Sequence, residues 1–289
     1  MINVKLMGGL GNQMFQFCAG LALAKRLNTR FTIDDTILNS NINNDHSVKR
    51  ELDLEVFNLS QQSYYNGLIS ANSGFLTRNI NRILPVRSRW YYIEKSFNYD
   101  NNILLLNDNT TIEGYWQSYK YFDKIENEIK HTFSFKNKLL IDSEKLFNDI
   151  KNKVSVCINV RRADFAVNSF HGTLEMDYYF KAIDLLKSKI TSDLHFFVFS
   201  DDIDWCKRNF NFAKNITIVD HTHKGYKFSN YLYLMKNCKH FIIPNSSFAW
   251  WAAWICDNEE KTVIAPKIWF KGDANNLTLD LIPSNWTRI

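Results

Sequence analysis

Strand-like and helix-like segments alternate along the second half of this chain, and the connections between them are short. The strand-like segments are apolar runs at residues 154–158, 196–199, 216–219, 241–243 and 262–265. The helix-like segments between them lie at residues 175–189, 203–209, 229–238 and 247–256. Strands that alternate with helices pair in parallel, and the helices cover both faces of the sheet. The pattern therefore predicts an α/β fold built on a doubly wound parallel sheet.

The start of the chain predicts a second sheet of the same kind. A strand at 4–7 runs into a glycine-rich turn at 8–11, and a helix at 12–27 then leads to a strand at 31–33. A strand, a helix and a second strand in this order form a βαβ unit, whose two strands lie side by side in parallel.

A domain boundary is expected near the middle of the chain. Residues 36–110 show polar clusters and short aromatic runs without a clear period, so we expect irregular structure with some helix there. A helix is predicted at 138–151, and the polar run at 148–153 precedes the first strand of the second half. We therefore predict two domains, residues 1–150 and 151–289.

Composition and charge exclude several classes of protein. The chain has 289 residues, 45% of them apolar, which is enough for a core and argues against a disordered chain. Its 35 basic and 30 acidic side chains leave a net charge of +5. The basic residues form no dense run and no nucleic-acid-binding motif, so we expect no nucleic-acid partner. The mild positive charge suits an anionic ligand or a loose contact with a membrane surface.

The hydropathy pattern and the cysteines predict a cytoplasmic location. No signal peptide opens the chain and no segment has about 20 apolar residues in a row, so we expect a cytoplasmic protein. Peripheral contact with the inner membrane is left open. The cysteines are scattered and form no C-x-x-C pair, which predicts buried thiols in a reducing environment. They are Cys18, Cys157, Cys206, Cys238 and Cys256.

Polar side chains follow three strands of the second half at the point where each strand ends. They are Arg161, Arg162 and Asp164; Ser200, Asp201 and Asp202; and Asn245, Ser246 and Ser247. Because the carboxyl ends of parallel strands meet at one edge of a sheet, these groups should converge. Arginine forks bind phosphate oxygens, and a helix that begins at the serines would add backbone N–H groups and a positive dipole end. The sequence predicts a diphosphate site at this edge.

Each group also has a purely structural interpretation. Adjacent arginines at a strand end are often surface charges, and Asp201-Asp202 before a helix is an ordinary N-cap. Ser246 could likewise only cap a helix, and Trp250 on the following helix is expected in the core. The functional interpretation is favoured because all three groups are expected at the same end of one sheet.

The glycine turn near the N-terminus leaves a competing function open. Residues 9–11 followed by Met14 resemble a dinucleotide-binding G-x-G-x-x-G turn without its third glycine, and the acidic pair at 34–35 lies near the expected ribose-binding position. Bulky Met14 opposes the close helix–strand packing that the third glycine permits. Asn12 and Gln13 instead supply amide groups that suit sugar hydroxyls or phosphate.

A metal site is weakly indicated at one place. His221 and His223 stand two residues apart beside Asp220, but a solvated loop is the favoured interpretation of this pattern. The chain has no H-E-x-x-H motif, no phosphate loop of the Walker type and no G-x-S-x-G elbow. We therefore expect no metal ligand set and no bound cofactor.

Six segments, taken together in their order, carry a family resemblance. They are GGLGNQMFQ at 8–16, GYWQSYKYF at 114–122, RRAD at 161–164, FVFSDDIDWCK at 197–207, NSSFAWWAAWI at 245–255 and APKIWF at 265–270. With them the chain resembles the bacterial α-1,2-fucosyltransferases, glycosyltransferase family 11, over about residues 1–286.

The resemblance implies a fold and a reaction. The fold is of the GT-B type, with two facing Rossmann-like domains on parallel sheets. Residues 1–150 would be the acceptor side and residues 151–289 would bind the nucleotide-sugar donor. The implied enzyme transfers L-fucose from GDP-fucose to the 2-hydroxyl of a terminal galactose on an oligosaccharide, with inversion and without a metal. Such an enzyme would serve the biosynthesis of cell-surface glycans.

The resemblance also assigns roles to residues. Arg161 matches the first arginine of the family's H-x-R-R-x-D motif and would hold the diphosphate and stabilise the leaving charge. Arg162 would support it. Asp164 would either orient the arginines or act as a base; we favour orientation, because arginine neighbours stabilise the charged carboxylate and make it a poor base. Other implied donor-binding residues are Asn159, Asp201, Asp202, Asn245, Ser246, Ser247, Phe248 and Gly9. Asn12 and Gln13 would face the fucose or the acceptor.

Two departures from the family pattern leave alternatives open. Asn159 stands where the motif has histidine, and Ser229, Asn230 and Tyr231 stand where an acidic residue is common; related enzymes have both positions near guanine. Asparagine can bond to a base edge but cannot carry a positive charge. The alternatives are a glycosyltransferase that uses another nucleotide sugar, and a non-catalytic glycan- or nucleotide-binding protein. The sequence indicates neither the acceptor glycan, nor a general base, nor an oligomeric state.

Overall fold

The chain divides into two compact units. The first contains Met1–Lys136 and Leu279–Leu281, and the second contains Asn137–Thr278 and Ile282–Ile289. The structure is a computed structural model that describes residues 1–39, 50–59, 75–136, 139–163, 172–272 and 278–289.

The boundary between the units lies before the predicted one. Residue 150 falls inside a helix, Glu144–Asn152, that belongs to the second unit. Leu146 and Ile150 of this helix are buried, and the helix packs against the first strand of the second sheet. The polar run at 148–153 is therefore the exposed face and end of a packed helix rather than a linker between domains.

The first unit is built on a parallel sheet. The described strands pair in the order β2-β1-β4-β3. They are β1 (Ile2–Lys5), β2 (Phe31–Asp34), β3 (Tyr91–Ile93) and β4 (Thr110–Glu113). The helices described in this unit are α1 (Leu10–Arg26), α2 (Thr36–Asn39), α3 (Phe75–Ile83) and α4 (Glu126–Thr132).

Strand β3 corrects the expectation of irregular structure over residues 36–110. It is only three residues long, and β4 begins at the last residue of that range. Runs this short carry no readable alternation, so their strand conformation depends on pairing with β1 and with each other. The structure thus completes a four-stranded sheet from segments that the sequence pattern could not assign.

The second unit is built on a longer parallel sheet, in the order β10-β9-β8-β5-β6-β7. Its strands are β5 (Val154–Val160), β6 (Leu194–Ser200), β7 (Ile216–Val219), β8 (His240–Ile242), β9 (Val263–Ala265) and β10 (Thr287–Arg288). Its helices are α5 (Glu144–Asn152), α6 (Met176–Lys189), α7 (Ile203–Asn209), α8 (Ser229–Lys236) and α9 (Ser247–Trp254). This confirms the predicted α/β alternation, although the predicted last strand at 262–265 is followed by β10.

The core of the second unit explains why its sequence was readable. Strands β5 and β6 are buried on both faces, because helices cover the sheet on each side. Trp250 and Trp251 of α9 are fully buried, and the rings of Trp250 and Trp254 stack with centroids 5.9 Å apart. The predicted packing role of these tryptophans is confirmed. All five cysteines are buried free thiols, also as predicted.

In each sheet the strand order reverses beside the first strand of its unit. The chain places β2 on one side of β1 and β4 on the other, and it places β6 on one side of β5 and β8 on the other. Open α/β sheets bind their ligands in the crevice outside the carboxyl ends of the strands at such a reversal. Ligand binding is therefore expected at the carboxyl ends of β5 and β8, and at those of β1 and β4.

Candidate functional site

Asp201 organises the turn that carries the two arginines. It follows β6 directly, and the arginines follow the neighbouring strand β5. The Nη1 of Arg161 lies 3.1 Å from Oδ2 of Asp201. The backbone N–H of Arg162 donates to Oδ1 at 2.9 Å, and that of Ala163 donates to Oδ2 at 3.2 Å. Both oxygens of Asp201 are thus engaged within the protein, so this residue positions Arg161.

The two arginines have different surroundings. The guanidinium of Arg162 lies 4.3 Å from the centroid of the Trp205 ring, and its Nη1 donates to Leu174 O at 3.4 Å and to Glu175 Oε1 at 3.3 Å. The side chain of Arg161 keeps 31% of its surface exposed beside Asp201. The side chain of Arg162 therefore packs within the protein, whereas the guanidinium of Arg161 is partly exposed at the carboxyl edge of the sheet.

Asp202 caps the N-terminus of α7, which is the structural interpretation given above. Its carboxylate accepts the backbone N–H of Trp205 at 3.0 Å, and its own N–H donates to Ser200 Oγ at 2.9 Å. It is the N-cap of α7. One carboxylate oxygen of Asp202 thus holds the start of this helix, and the expected contribution of Asp202 to donor binding stays a prediction.

The segment after β8 brings a helix N-terminus to the same edge. Asn245 is buried, and its Nδ2 donates to Trp269 O at 3.0 Å and to Gly172 O at 3.3 Å. Helix α9 then begins with Ser246 as its N-cap, and the side chain of Ser246 makes no capping hydrogen bond. Backbone N–H groups at the start of such a helix favour an anion.

The remaining predicted residues of this region differ in what they can contact. Ser247 and Phe248 in the first turn of α9 are partly exposed. Asn159 is buried near the end of β5, and its Nδ2 donates to the carbonyl of Phe199 at 3.2 Å on the neighbouring strand. Its amide nitrogen is therefore occupied within the sheet. Asp164 lies outside the described residues.

Asn230 and Tyr231, which stand where the family commonly has an acidic residue, also form hydrogen bonds within the protein. The hydroxyl of Tyr231 donates to Val219 O at 2.9 Å, and the ring is buried. The Nδ2 of Asn230 donates to Ser143 Oγ at 2.9 Å and to His223 O at 2.7 Å. These side chains fix the start of α8 against neighbouring segments of the second unit.

The histidines near β7 are bonded within the protein. The Nε2 of His221 lies 3.0 Å from Ser200 O, and Nδ1 of His223 lies 2.9 Å from Ser143 Oγ. No group of three or more His, Cys, Asp or Glu residues that could hold a metal ion occurs in the described part of the chain. The metal alternative gains no support here, and independence from metal stays a prediction.

In the first unit, Gln13 is a structural residue rather than a ligand contact. It is fully buried, so the predicted contact with fucose or acceptor is corrected. Its side-chain amide links the start of α1 to residues 51–54, and both the amide nitrogen and the amide oxygen form hydrogen bonds. Nε2 donates to Gly8 O at 2.9 Å and Glu51 O at 2.7 Å, and Oε1 accepts from Asp53 N at 2.8 Å and Leu54 N at 3.3 Å.

Asn12 and the glycines lie at the carboxyl end of β1. Asn12 is partly exposed, and its Oδ1 accepts a hydrogen bond from Gln117 Nε2 at 2.8 Å. Gly8 has φ +76°, a left-handed conformation that favours glycine, whereas Gly9 is the N-cap of α1 with an ordinary φ of −86°. Of the two predicted amide residues, Asn12 is the one with an exposed part at this edge, and its contact with fucose or acceptor stays a prediction.

The dinucleotide alternative is opposed by Asp34. Its Oδ1 accepts the N–H of Thr36 at 2.9 Å and the hydroxyl of Thr36 at 2.5 Å, and its Oδ2 lies 3.8 Å from Lys5 Nζ. The side chain is buried. This carboxylate is engaged within the protein, so it is not presented to a ribose.

Glu94 is a feature that the sequence analysis missed. It follows β3, and its Oε2 accepts the backbone N–H groups of Tyr115 at 2.7 Å and Trp116 at 3.0 Å. Burial raises the pKa of Glu94 to about 7, although the N–H donors of Trp116 and Tyr115 lower it. The available signal was an acid directly after the apolar run Trp90-Tyr91-Tyr92-Ile93, the same pattern as the strand ends of the second half.

Comparison with known proteins decides the family. A model described as Glycosyl transferase family 11 matches residues 88–289. The chain is also 31% identical to an alpha-1,2-colitosyltransferase of Escherichia coli, over 99% of this chain and 97% of that protein. The chain belongs to glycosyltransferase family 11. A galactoside 2-alpha-L-fucosyltransferase of Caenorhabditis elegans is 24% identical, over 90% of this chain and 70% of that protein.

A solved structure agrees on the fold. The crystal structure of fucosyltransferase NodZ from Bradyrhizobium is similar to this family 11 chain with a TM-score of 0.52, at 12% identity, over 87% of this chain and 92% of that one. The likeness and the parallel sheet in each unit confirm the predicted α/β fold of the GT-B type.

Family membership fixes the general reaction. The chain is a glycosyltransferase for fucose or a related sugar, with a nucleotide sugar as donor and a glycan as acceptor. No helix within the described ranges has the length and apolar character to cross a membrane. The predicted cytoplasmic location and membrane contact stay predictions.

Proposed function

We propose that this family 11 enzyme transfers L-fucose from GDP-fucose to the 2-hydroxyl of a terminal galactose, with inversion and without a metal. The second unit binds the donor and the first unit binds the acceptor. The observation that carries this proposal is the position of Arg161. It is held by Asp201 at the end of β5, and the N-terminus of α9 follows the adjacent strand β8, where the strand order reverses.

This arrangement suits a diphosphate leaving group. When the bond between the anomeric carbon and the diphosphate breaks, negative charge grows on the diphosphate oxygens. The permanent charge of Arg161 and the N–H groups at the start of α9 stabilise that charge before the reaction, because Asp201 has already fixed the guanidinium. Ser247 and Phe248 in the first turn of α9 then lie next to the donor.

The colitosyltransferase relative favours a second candidate donor. Colitose is L-fucose without its 3-hydroxyl group, so a diphosphate site would accept GDP-colitose as readily as GDP-fucose. The choice between the two sugars depends on whether a buried polar group of the protein forms a hydrogen bond with the 3-hydroxyl. If it does, GDP-colitose would leave that group without a partner, and the site would strongly prefer GDP-fucose. An amide N–H of Asn159, an amide N–H of Asn230 and the hydroxyl of Tyr231 each donate within the protein, so we expect other groups to contribute to recognition of the base.

The donor site is tested by binding. GDP, UDP, ADP, CMP and NAD are titrated by calorimetry into the wild type, Arg161→Ala and Arg208→Ala, the last an exposed arginine on α7 of the same unit. We expect GDP to bind the wild type and Arg208→Ala equally. Arg161→Ala should bind GDP about 10- to 100-fold more weakly, the value of a charge-assisted contact of about 1.5–3 kcal/mol. Equal GDP affinity in all three proteins would contradict the proposed role of Arg161, and preference for another nucleotide would reassign the donor.

The reaction is tested by turnover. GDP-fucose and GDP-colitose are compared at equal concentration with lactose, N-acetyllactosamine and Gal-β-1,3-GalNAc, and products are identified by mass spectrometry and linkage analysis. A fucosylated galactoside with an α-1,2 linkage supports the main proposal. A higher kcat/KM with GDP-colitose supports the second candidate. GDP binding without a product on any acceptor would favour the non-catalytic alternative.

A further inference from the structure

Glu94 lies at the carboxyl edge of the first sheet. It follows β3, which pairs with β4, and β4 leads into the segment that contains Tyr115 and Trp116. The reversal of strand order in this sheet lies between β1 and the same strand β4. Glu94 and Asn12 therefore follow strands on opposite sides of β4, at the end where ligands bind in such sheets.

The backbone after β4 is shaped around this carboxylate. Trp116 has φ +53°, a left-handed conformation that is uncommon for a bulky residue, and its N–H points to Glu94. A Cβ at Gly114 would lie 2.3 Å from the Cβ of Glu94, so only glycine allows the close approach. The chain thus maintains a strained turn that presents two N–H donors to one carboxylate.

The polar groups beside this turn continue toward β1. Gln117 donates from Nε2 to Asn12 Oδ1 at 2.8 Å. Its Oε1 is buried and has no hydrogen-bond partner within the described residues, and the whole residue is only 5% exposed. A buried acceptor without a partner is costly, which indicates a site for an incoming donor such as a sugar hydroxyl.

The electrostatic environment suits proton transfer near neutral pH. Burial dominates and raises the pKa of Glu94 to about 7, and the like charge of Asp100 adds to the effect. The other titratable side chains that interact with Glu94 are Tyr115 and Tyr121, whose own pKa values are raised by burial. A carboxylate of this kind is a stronger base than an exposed one and is still ionised in a large fraction of molecules at pH 7.

We propose that Glu94 is the general base of the transfer and accepts the proton of the acceptor hydroxyl. The inference rests on the proposed function, in which the first unit binds the acceptor. As the acceptor oxygen forms its bond to the anomeric carbon, the bond from that carbon to the diphosphate breaks and its electron pair leaves with the nucleotide. The hydroxyl proton passes to the carboxylate of Glu94. This assignment supplies the base for which the motif residue Asp164 was a weak candidate.

Glu94→Gln separates this role from the bracing of the turn. Oε2 accepts both N–H groups, and Oε1 shares the N–H of Trp116 at 3.1 Å. With its amide oxygen at the Oε2 position, glutamine keeps one hydrogen bond to each N–H, whereas the shared bond to Oε1 is lost together with the basic group. Glu128→Gln is the matched control, an exposed glutamate of the same unit paired with Lys25 at 2.7 Å. Asp164→Asn is measured in parallel as the competing base.

The measurements are kcat against pH, GDP affinity and Tm for each protein, with the donor and acceptor that the wild type uses best. We expect the wild-type kcat to rise with pH through about 7 and then level off. Glu94→Gln should lose at least about 100-fold in kcat. It should also lose the pH-dependent rise, while its GDP affinity and Tm stay near wild type. Glu128→Gln should behave as wild type.

Two results would overturn the assignment. The first is a Glu94→Gln enzyme that keeps its kcat within about threefold and retains the same pH profile. The second is a loss of kcat and of the pH-dependent rise in Asp164→Asn but not in Glu94→Gln. If the wild type transfers to no galactoside, the proposed acceptor fails separately, and the same comparison on hydrolysis of the donor, in which water is the acceptor, still tests Glu94.

Discussion

At the scale of single residues, side chains of the same type that are neighbours in sequence have different contacts and different roles. Arg161 and Arg162 are identical in type, but the guanidinium of Arg162 packs on Trp205, whereas that of Arg161 pairs with the Asp201 carboxylate at the edge of the sheet. Asp201 and Asp202 divide in the same way, into a positioning residue and a helix cap. The function of each residue depends on its partner rather than on its type.

Asp201→Ala is expected to weaken donor binding without removing any group that touches the donor. The substitution frees the guanidinium of Arg161 and leaves two backbone N–H groups without their acceptor. We expect the GDP affinity to fall about 10-fold, or about 1.4 kcal/mol, and the unfolding free energy to fall by about 1–3 kcal/mol. Calorimetric titration and urea unfolding measure the two effects. Asp204→Ala, an exposed carboxylate on α7, is the control; unchanged GDP affinity in Asp201→Ala would show that Arg161 needs no positioning.

At the scale of elements, the first helix shows how packing overrides intrinsic propensity. Helix α1 packs on β1 and β2, and Gly20 of this helix lies close to a side chain of each strand. A Cβ at this position would lie 2.1 Å from Cγ2 of Val4 and 2.4 Å from Cε2 of Phe31. Both neighbours are buried core side chains, so neither can move freely.

Gly20→Ala is therefore expected to destabilise the protein although alanine favours helices. Alanine gains up to about 1 kcal/mol of helix propensity over glycine. Overpacking of a rigid core costs about 1–3 kcal/mol, and here it must displace α1 from the sheet, so we expect a net loss of unfolding free energy. Urea unfolding measures the change. A stability equal to or above that of the wild type would mean that Val4 and Phe31 can repack.

At the scale of the whole molecule, Glu94 couples folding to pH. Its pKa is about 7 in the folded chain against an ordinary value of 4.5, so between these pH values the folded state holds a proton that the unfolded chain releases. The stability that neutral Glu94 contributes is fully present below pH 4.5 and is lost as the pH rises through 7. The raised pKa corresponds to at most about 3 kcal/mol.

This coupling is measured as a difference between two proteins. Unfolding free energies of the wild type and Glu94→Gln are determined by urea at several values between pH 4.5 and 8. Contributions from all other groups are common to both proteins and cancel. We expect the wild type to lose up to about 3 kcal/mol relative to Glu94→Gln over this range. A difference that does not change with pH would contradict the raised pKa.

Much of the fold was predictable because its strands and helices have clear local patterns of apolar and polar residues. Apolar runs separated by amphipathic helices encode which faces are buried, and this holds for every strand from β5 to β9. The polar groups after β5, β6 and β8 were predictable for the same reason, since parallel strands end at one edge. The strands β3 and β10 were missed. Strands β8 and β9 are as short as β3, but each follows a predicted helix, and this alternation identified them as strands.

The sequence by itself indicated the family, the α/β alternation and the edge of the sheet at which the arginines and the start of α9 follow neighbouring strands. Only the tertiary structure decided that Gln13 is buried, that Asp202 caps α7, that Asp201 positions Arg161, and that burial raises the pKa of Glu94 while Tyr115 and Trp116 donate to its carboxylate. The physical reason is the range of the interactions. Periodicity is local, whereas desolvation and hydrogen-bond partners come from segments 20 to 40 residues away in the chain, such as Trp116 for Glu94 and Asp201 for Arg162.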